Sequence, residues 1–160
     1  MRVELCSGGH AKHGFKSLDC RKVGDVEFVV DLNKESLPFK DNSVEEFYEQ
    51  YSFYELDNPL AVIKDCWRCL KPNGILEFRE MYFASHYAYL PMTKNFWSLA
   101  SARLFTKGYR FEGLFEIVSV ELEESVLPFW LIKLNPNFYE KYLSRVFSAN
   151  YIRFKLKKVV

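Results

Sequence analysis

Apolar and polar residues alternate with period two through several short stretches of the chain, and such alternation predicts strands with one buried and one open face. Residues 2–6, 15–20 and 26–32 read as three strands in quick succession, 44–51 as a fourth, 75–80 as a fifth, 115–123 as a sixth and 151–159 as a seventh. One stretch carries the helical period instead. Asp57-Asn58-Pro59 supplies a cap and a proline at the first helical position, where its missing N–H costs nothing. Leu60, Ile63, Trp67 and Leu70 then fall on one face, with Lys64, Asp65 and Arg68 outside, until Lys71-Pro72-Asn73-Gly74 stops the helix. Residues 82–90 read as an aromatic loop over the sheet ends, 93–106 as a helix closed by Lys107-Gly108-Tyr109, 128–134 as an extended piece, and 135–147 as a helix capped at Asn135-Pro136. There is no internal repeat and no low-complexity linker, so residues 1–160 read as a single domain.

The first connections are too short for the usual architecture of such strands. Six residues separate Gly8 from Phe15 and five separate Cys20 from Val26, whereas a parallel crossover takes about a dozen or more residues and a helix. The charges Arg2, Glu4, Glu27, Glu77, Arg79, Arg153, Lys155 and Lys157 also recur at alternate strand positions, while a sheet wrapped on both faces has nearly unbroken apolar strands. Right-handed crossovers that step one way along a sheet put their helices on one side, so missing helices leave one side bare. The expectation is a half-wrapped sheet. Its bare face is either solvated and held by cross-strand charge pairs of about 0.2–1 kcal/mol each, or covered by a second copy or another subunit.

Composition narrows the function classes. With 22 Lys+Arg against 21 Asp+Glu the formal net charge is +1, which gives no support for general nucleic-acid binding, although the end of the chain is locally basic. No apolar run of about 18 residues is present to span a bilayer, and a membrane is not expected as a partner. The four cysteines lack the spacing of a secreted disulfide scaffold and no leader is legible, so the chain reads as cytoplasmic with free thiols. Cys66-Trp67-Arg68-Cys69 lies inside the helical pattern and reads as two buried thiols rather than a redox or metal pair. His10 and His13 with Cys6 or Cys20 can be drawn as a zinc site, but a polar loop is the simpler setting and no metal is expected.

The stretch that carries chemistry is Val3-Glu4-Leu5-Cys6-Ser7-Gly8-Gly9, an apolar strand running into a glycine turn. Such a turn lets backbone N–H groups approach a ligand with no Cβ in the way.

Four pieces in order resemble the class I S-adenosylmethionine-dependent methyltransferases, above all their small, reduced bacterial and archaeal members. Val3 to Gly8 is similar to the glycine-rich first motif, and Phe15-Lys16-Ser17-Leu18-Asp19 to the acid-ended second strand. Val29-Val30-Asp31-Leu32 with Leu37-Pro38-Phe39-Lys40-Asp41-Asn42-Ser43-Val44 resembles the third strand and the loop that follows it. Trp67-Arg68-Cys69-Leu70-Lys71-Pro72-Asn73-Gly74 resembles the turn into strand five. The resemblance implies an α/β, Rossmann-like sheet of order 3-2-1-4-5-7-6 with its last strand antiparallel, S-adenosylmethionine as cofactor, and an unidentified methyl acceptor. It places Glu4, Cys6, Gly8, Asp19, Asp31 and Leu32 at the cofactor, with Asp19 on the ribose hydroxyls and Asp31 on the adenine amine. Tyr51, Glu55, Glu80 and His86, also Tyr82, would lie past the ends of strands four and five as acceptor-site candidates. Cys6 stands where the family has its first glycine, and the first helix has no room. A non-catalytic binding or assembly protein on a degenerate methyltransferase fold is the competing expectation.

Overall fold

The computed structural model describes residues 1–125 and 127–159. Its strands are β1 (Arg2–Leu5), β2 (Lys16–Asp19), β3 (Phe28–Val29), β4 (Val44–Gln50), β5 (Leu70–Met81), β6 (Phe115–Glu123) and β7 (Tyr151–Lys158). They form one sheet of order β3-β2-β1-β4-β5-β7-β6, as expected. β1 to β5 run parallel and β7 is antiparallel to both β5 and β6.

The helix α1 (Pro59–Cys69) joins β4 to β5 and begins where the sequence indicates, with the Asn58 side chain accepting from the Ala61 N–H. Its buried face is turned by about one position from the expected stripe. Pro59, Val62, Ile63, Cys66 and Cys69 are buried, while Leu60 and Trp67 are only half-buried. The two cysteines are thus core residues, because thiols pack as small apolar groups.

Other expectations shift. β3 shrinks to two residues. The expected helix over 93–106 is a 3-10 segment at Leu99–Phe105, preceded by an extended stretch in which Trp97 bridges to Tyr82. Residues 129–134, expected extended, form the short helix α2 (Phe129–Leu134), and the following helix divides into α3 (Pro136–Phe138) and a π-turn at Tyr139–Leu143. The alternation in 128–134 was too short to separate strand from helix.

The half-wrapped sheet is what the molecule shows. Val3, Phe47, Leu76, Phe78, Phe154 and Leu156 make the core side with α1 and the Leu99–Phe105 segment. No helix joins β1 to β2 or β2 to β3 among the described residues. Tight loops replace them: the Asp25 N–H donates to the Gly9 carbonyl at 3.0 Å, and a Cβ on Gly24 would stand 2.4 Å from that same oxygen. Only glycine lets the two loops touch. The open face carries a charge ladder. Glu77 pairs with Arg153 and Lys155 at 3.3 Å each, Glu123 with Arg79 at 2.5 Å and Arg153 at 2.7 Å, and Glu116 with Lys157 at 3.5 Å. Toward β1 that face is covered by Lys12 and Phe15, packed on Tyr48.

Candidate functional site

The ends of β1, β2, β3 and β4 open together because β1 is central and its neighbours leave in opposite directions along the sheet, the arrangement in which open α/β sheets hold ligands. There a cavity of about 430 Å³ is lined by Cys6, Gly8, Asp19, Cys20, Arg21, Val30, Asp31, Leu32, Asn33, Tyr51, Ser52, Glu55, Leu56 and Lys94. That volume lies within the roughly 300–1,000 Å³ usual for small-molecule sites.

Five of the six expected cofactor residues reach it. Asp19 holds the floor in place: its Oδ2 accepts from the Gly8 N–H at 2.9 Å and its Oδ1 from the Arg21 N–H at 3.1 Å. A carboxylate has about four acceptor sites, so capacity remains for a ligand's hydroxyls. Gly8 has left-handed backbone (φ 62°), and a Cβ added there would meet nothing within 4 Å, so the space beside its Cα is open. Asp31 accepts from the Asn33 N–H at 3.1 Å and pairs with Lys34 at 2.7 Å, contacts that hold its carboxyl below the usual range. Val30, Leu32 and Leu56 add apolar wall.

Glu4 is the correction. It does not line the cavity but lies on the opposite face, where its Oε2 accepts from the Lys12 N–H and pins the loop that returns to β2.

Cys6 takes the backbone conformation of the glycine it replaces (φ 51°), at a cost of about 1–2 kcal/mol for a residue with a Cβ. Burial pushes its thiol up to about 12. At neutral pH it is an uncharged and weakly nucleophilic S–H.

The acceptor-site candidates separate into two groups. Tyr51 and Glu55 line the cavity, with Glu55 Oε1 accepting from the Tyr54 hydroxyl at 2.6 Å. His86 does not; it is exposed in a 3-10 turn, its ring against Tyr87. Glu80 does not line it either, and it is fully buried. Tyr82 is also buried, donating its hydroxyl to Glu140 at 3.2 Å.

Glu80 belongs instead to a pair that the sequence reading only half identified. Its Oε1 accepts from the Phe53 N–H at 2.7 Å and the Ser52 N–H at 3.2 Å, and Oε1 of buried Glu49 accepts from the same two amides at 3.3 and 2.6 Å. Ser52 Oγ also donates to Glu49 at 2.6 Å. The two Oε2 atoms are buried and meet no other donor among the described residues. A proton carried by one carboxyl and shared with the other supplies that donor. Burial raises Glu49 to about 7, and burial beside Glu49 raises Glu80 well above the ordinary carboxylate value. The pair fixes the turn that brings Tyr51 (φ 61°) and Ser52 into the cavity wall. The signal was present in the sequence, since Glu49 is in phase with buried Phe47 and Glu80 with buried Leu76 and Phe78.

Lys94 was not foreseen; its ammonium pairs with Asp57 at 2.5 Å at the cavity rim. Arg68, in the turn that the resemblance picked out, donates to the carbonyls of Phe39 at 2.9 Å and Leu37 at 3.2 Å, so two separate sequence pieces are one clamp. No group of three or more His, Cys, Asp or Glu side chains is placed to hold a metal ion among the described residues, and all four cysteines are unpaired.

Comparison with known proteins agrees with this geometry. A family profile described as a methyltransferase domain matches residues 12–78. No curated protein matches the sequence. Among solved structures, a SAM-dependent methyltransferase from Archaeoglobus fulgidus superposes with a TM-score of 0.66 at 14% identity, covering 98% of this chain and 86% of that one. One from Mesorhizobium loti gives 0.58 at 15%, covering 98% and 89%. The [4+2]-cyclase SpnF gives 0.62 at 20%, covering 99% and 74%. The profile spans less than half of the chain, and the superpositions, all at or below 20% identity, show that the chain has the fold of the class I S-adenosylmethionine-dependent methyltransferases. Because a cyclase shares the architecture, the reaction has to be argued from the site.

Proposed function

We propose that the chain is a methyltransferase that binds S-adenosylmethionine in the cavity at the ends of β1 to β4. The observation that carries the reading is the convergence of a glycine with open space beside it (Gly8), a carboxylate held by that glycine's N–H (Asp19) and an acid beside apolar wall (Asp31 with Leu32), from three separate strand ends, on one cavity of about 430 Å³. Such residues fit an adenosine: Asp19 accepts from the ribose hydroxyls, Asp31 from the adenine amine, and Leu32 and Leu56 cover the ring. The cofactor, when bound, supplies an electrophilic methyl group. The protein's share is to orient it, to exclude water and to hold an acceptor in line. Cys6, uncharged, lies along the cavity without offering a competing nucleophile. Of the residues named for acceptor chemistry, Glu55 is the one whose carboxylate lines the cavity, and we assign it to take the acceptor's proton.

A second reading has support of its own. The Cβ and thiol of Cys6 stand where a glycine would leave room, and no helix follows Gly9 to cover the ligand. Both features favour a binding or assembly protein that has kept the fold and lost the transfer step. Unpaired cysteines fit a reducing compartment, and we place the protein in the cytoplasm. No helix among the described residues is long and apolar enough to cross a membrane.

Ultraviolet cross-linking with methyl-labelled S-adenosylmethionine tests the site. Label is expected on peptides holding Gly8, Asp19 or Asp31, and excess S-adenosylhomocysteine should remove it. Label spread over the chain, or insensitive to the competitor, would refute the assignment.

A further inference from the structure

Exposed apolar side chains on this protein are not scattered. Twelve of the eighteen large hydrophobics that are exposed among the described residues fall in two segments, 81–98 after β5 and 127–150 after β6. Tyr89 (69% exposed), Trp130 (65%), Leu134 (77%) and Val146 (72%) are the most open, with Phe96 and Tyr142 beside them in the same segments. β5 and β6 both run antiparallel to β7, so the two segments leave the sheet at the same end as β1 to β4, the end that holds the cavity. They are also joined to one another. The carboxylate of Glu140 accepts from the Leu99 N–H at 2.7 Å, the Ala100 N–H at 3.1 Å and the Tyr82 hydroxyl, the Tyr82 N–H donates to the Asn150 carbonyl at 3.0 Å, and Tyr87 stacks on Tyr151. Lys94, from the first segment, lines the cavity itself.

The charge of these segments is as uneven as their hydrophobicity. They carry Lys94, Lys133, Lys141 and Arg145, and their one carboxylate, Glu140, is turned inward on the bonds just described. Every other Asp and Glu, twenty of the chain's 21, lies elsewhere. Exposed apolar side chains gathered in this way mark an interaction site, and the outward charges of the two segments are positive, with Lys94 balanced by Asp57 and Lys141 and Arg145 exposed. Aliphatic residues as open as Leu134 and Val146 offer little to a nucleic acid, which uses stacking and phosphate contacts. Aromatic and aliphatic side chains interspersed with Lys and Arg suit the boundary of an anionic bilayer, where rings sit at headgroup level and cations meet the lipid charge.

We propose that the end of the sheet carrying the cavity docks on an anionic lipid surface through residues 81–98 and 127–150. This goes beyond the cofactor reading and does not depend on it. It also revises the expectation of no membrane partner, because peripheral contact needs no spanning helix.

Vesicles of phosphatidylcholine containing about a third phosphatidylglycerol, compared with phosphatidylcholine alone, supply the test. The whole chain should co-sediment with the anionic vesicles, lose that binding at high salt, and show a blue shift in tryptophan emission that Trp130→Phe abolishes, since Trp97 is already buried and Trp67, half-buried, lies on α1 outside the two segments. Each cation near such a surface contributes about fivefold in affinity, so Lys141→Ser with Arg145→Ser should weaken binding about 25-fold. Both side chains are exposed, and circular dichroism of the double variant verifies that it folds. Absence of sedimentation with anionic vesicles, equal sedimentation with both vesicle types, or binding unchanged in the double variant would each overturn the proposal. So would tighter binding to a single-stranded RNA of about 20 nucleotides than to the vesicles.

Discussion

Replacing Glu80 by Gln should make the protein less sensitive to alkaline pH rather than less stable. In the native pair both carboxyls sit on the amides of Ser52 and Phe53, with their outer oxygens lacking any donor but a shared proton. Folding therefore raises their affinity for protons, and stability conferred by the protonated pair is full below the unfolded value of 4.5 and is lost as pH climbs through about 7. For Glu49 alone, a rise from 4.5 to about 7 makes the folded state roughly 2–3 kcal/mol less stable at pH 8 than at pH 5. In the Glu80→Gln variant the new amide keeps a carbonyl to accept from Phe53 and offers an N–H to Glu49. Glu49 stays buried and keeps the rise that burial gives it, while the contribution of Glu80 is removed. Urea unfolding of both proteins at pH 5 and pH 8 reads the difference. The variant should still lose the share of buried Glu49 across the interval, and the native chain should lose more, because it also carries the raised carboxyl of Glu80. Glu4, raised by burial on the other face, contributes in the same direction to both proteins, and Asp31 and Glu45, held low by their cationic partners, act only in more acid solution. An equal fall in stability in the two proteins would refute the shared-proton description.

Cys6→Gly should relieve the left-handed strain at that position, stabilising the protein by about 1 kcal/mol, which is a rise of about 2–4 °C in melting temperature for a chain of this size. It should also tighten cofactor binding, and a lower melting temperature with unchanged binding would contradict the account of that residue. Gly24→Ala pushes a Cβ to 2.4 Å from the Gly9 carbonyl oxygen at a backbone of φ 51°, and an unfolding midpoint within error of the native one would show that the loops do not need to touch. Arg68→Ala removes the donors to the Leu37 and Phe39 carbonyls, and a loss of about 1–3 kcal/mol is expected in the same urea assay.

The sheet was largely legible in the sequence because its signals are local or periodic. Alternating Glu77, Arg79, Arg153, Lys155 and Lys157 announced the open face, and the short loops around Gly9 and Gly24 announced which helices are missing. Segments without a sustained period were not legible: 93–106 and 128–147 mix 3-10, α and π turns whose form depends on packing against β6 and on the inward turn of Glu140. The cavity floor was found through Gly8 and Asp19, a backbone N–H and a carboxylate that meet at the ends of two short strands readable from local pattern. Lys94 reaches the cavity through a tertiary contact with Asp57 that no local pattern marks, whereas the phase of Glu49 with buried Phe47 marks its burial but not its partner Glu80.

Calorimetric titration of the native chain and of Asp19→Ala with S-adenosylhomocysteine tests the central claim most directly. The native protein should bind at one site, and the variant, deprived of the carboxylate that orients Gly8, should bind about 10–100-fold more weakly. Folded native protein that gives no heat at millimolar ligand, or a variant that binds as tightly as the native chain, would contradict the account.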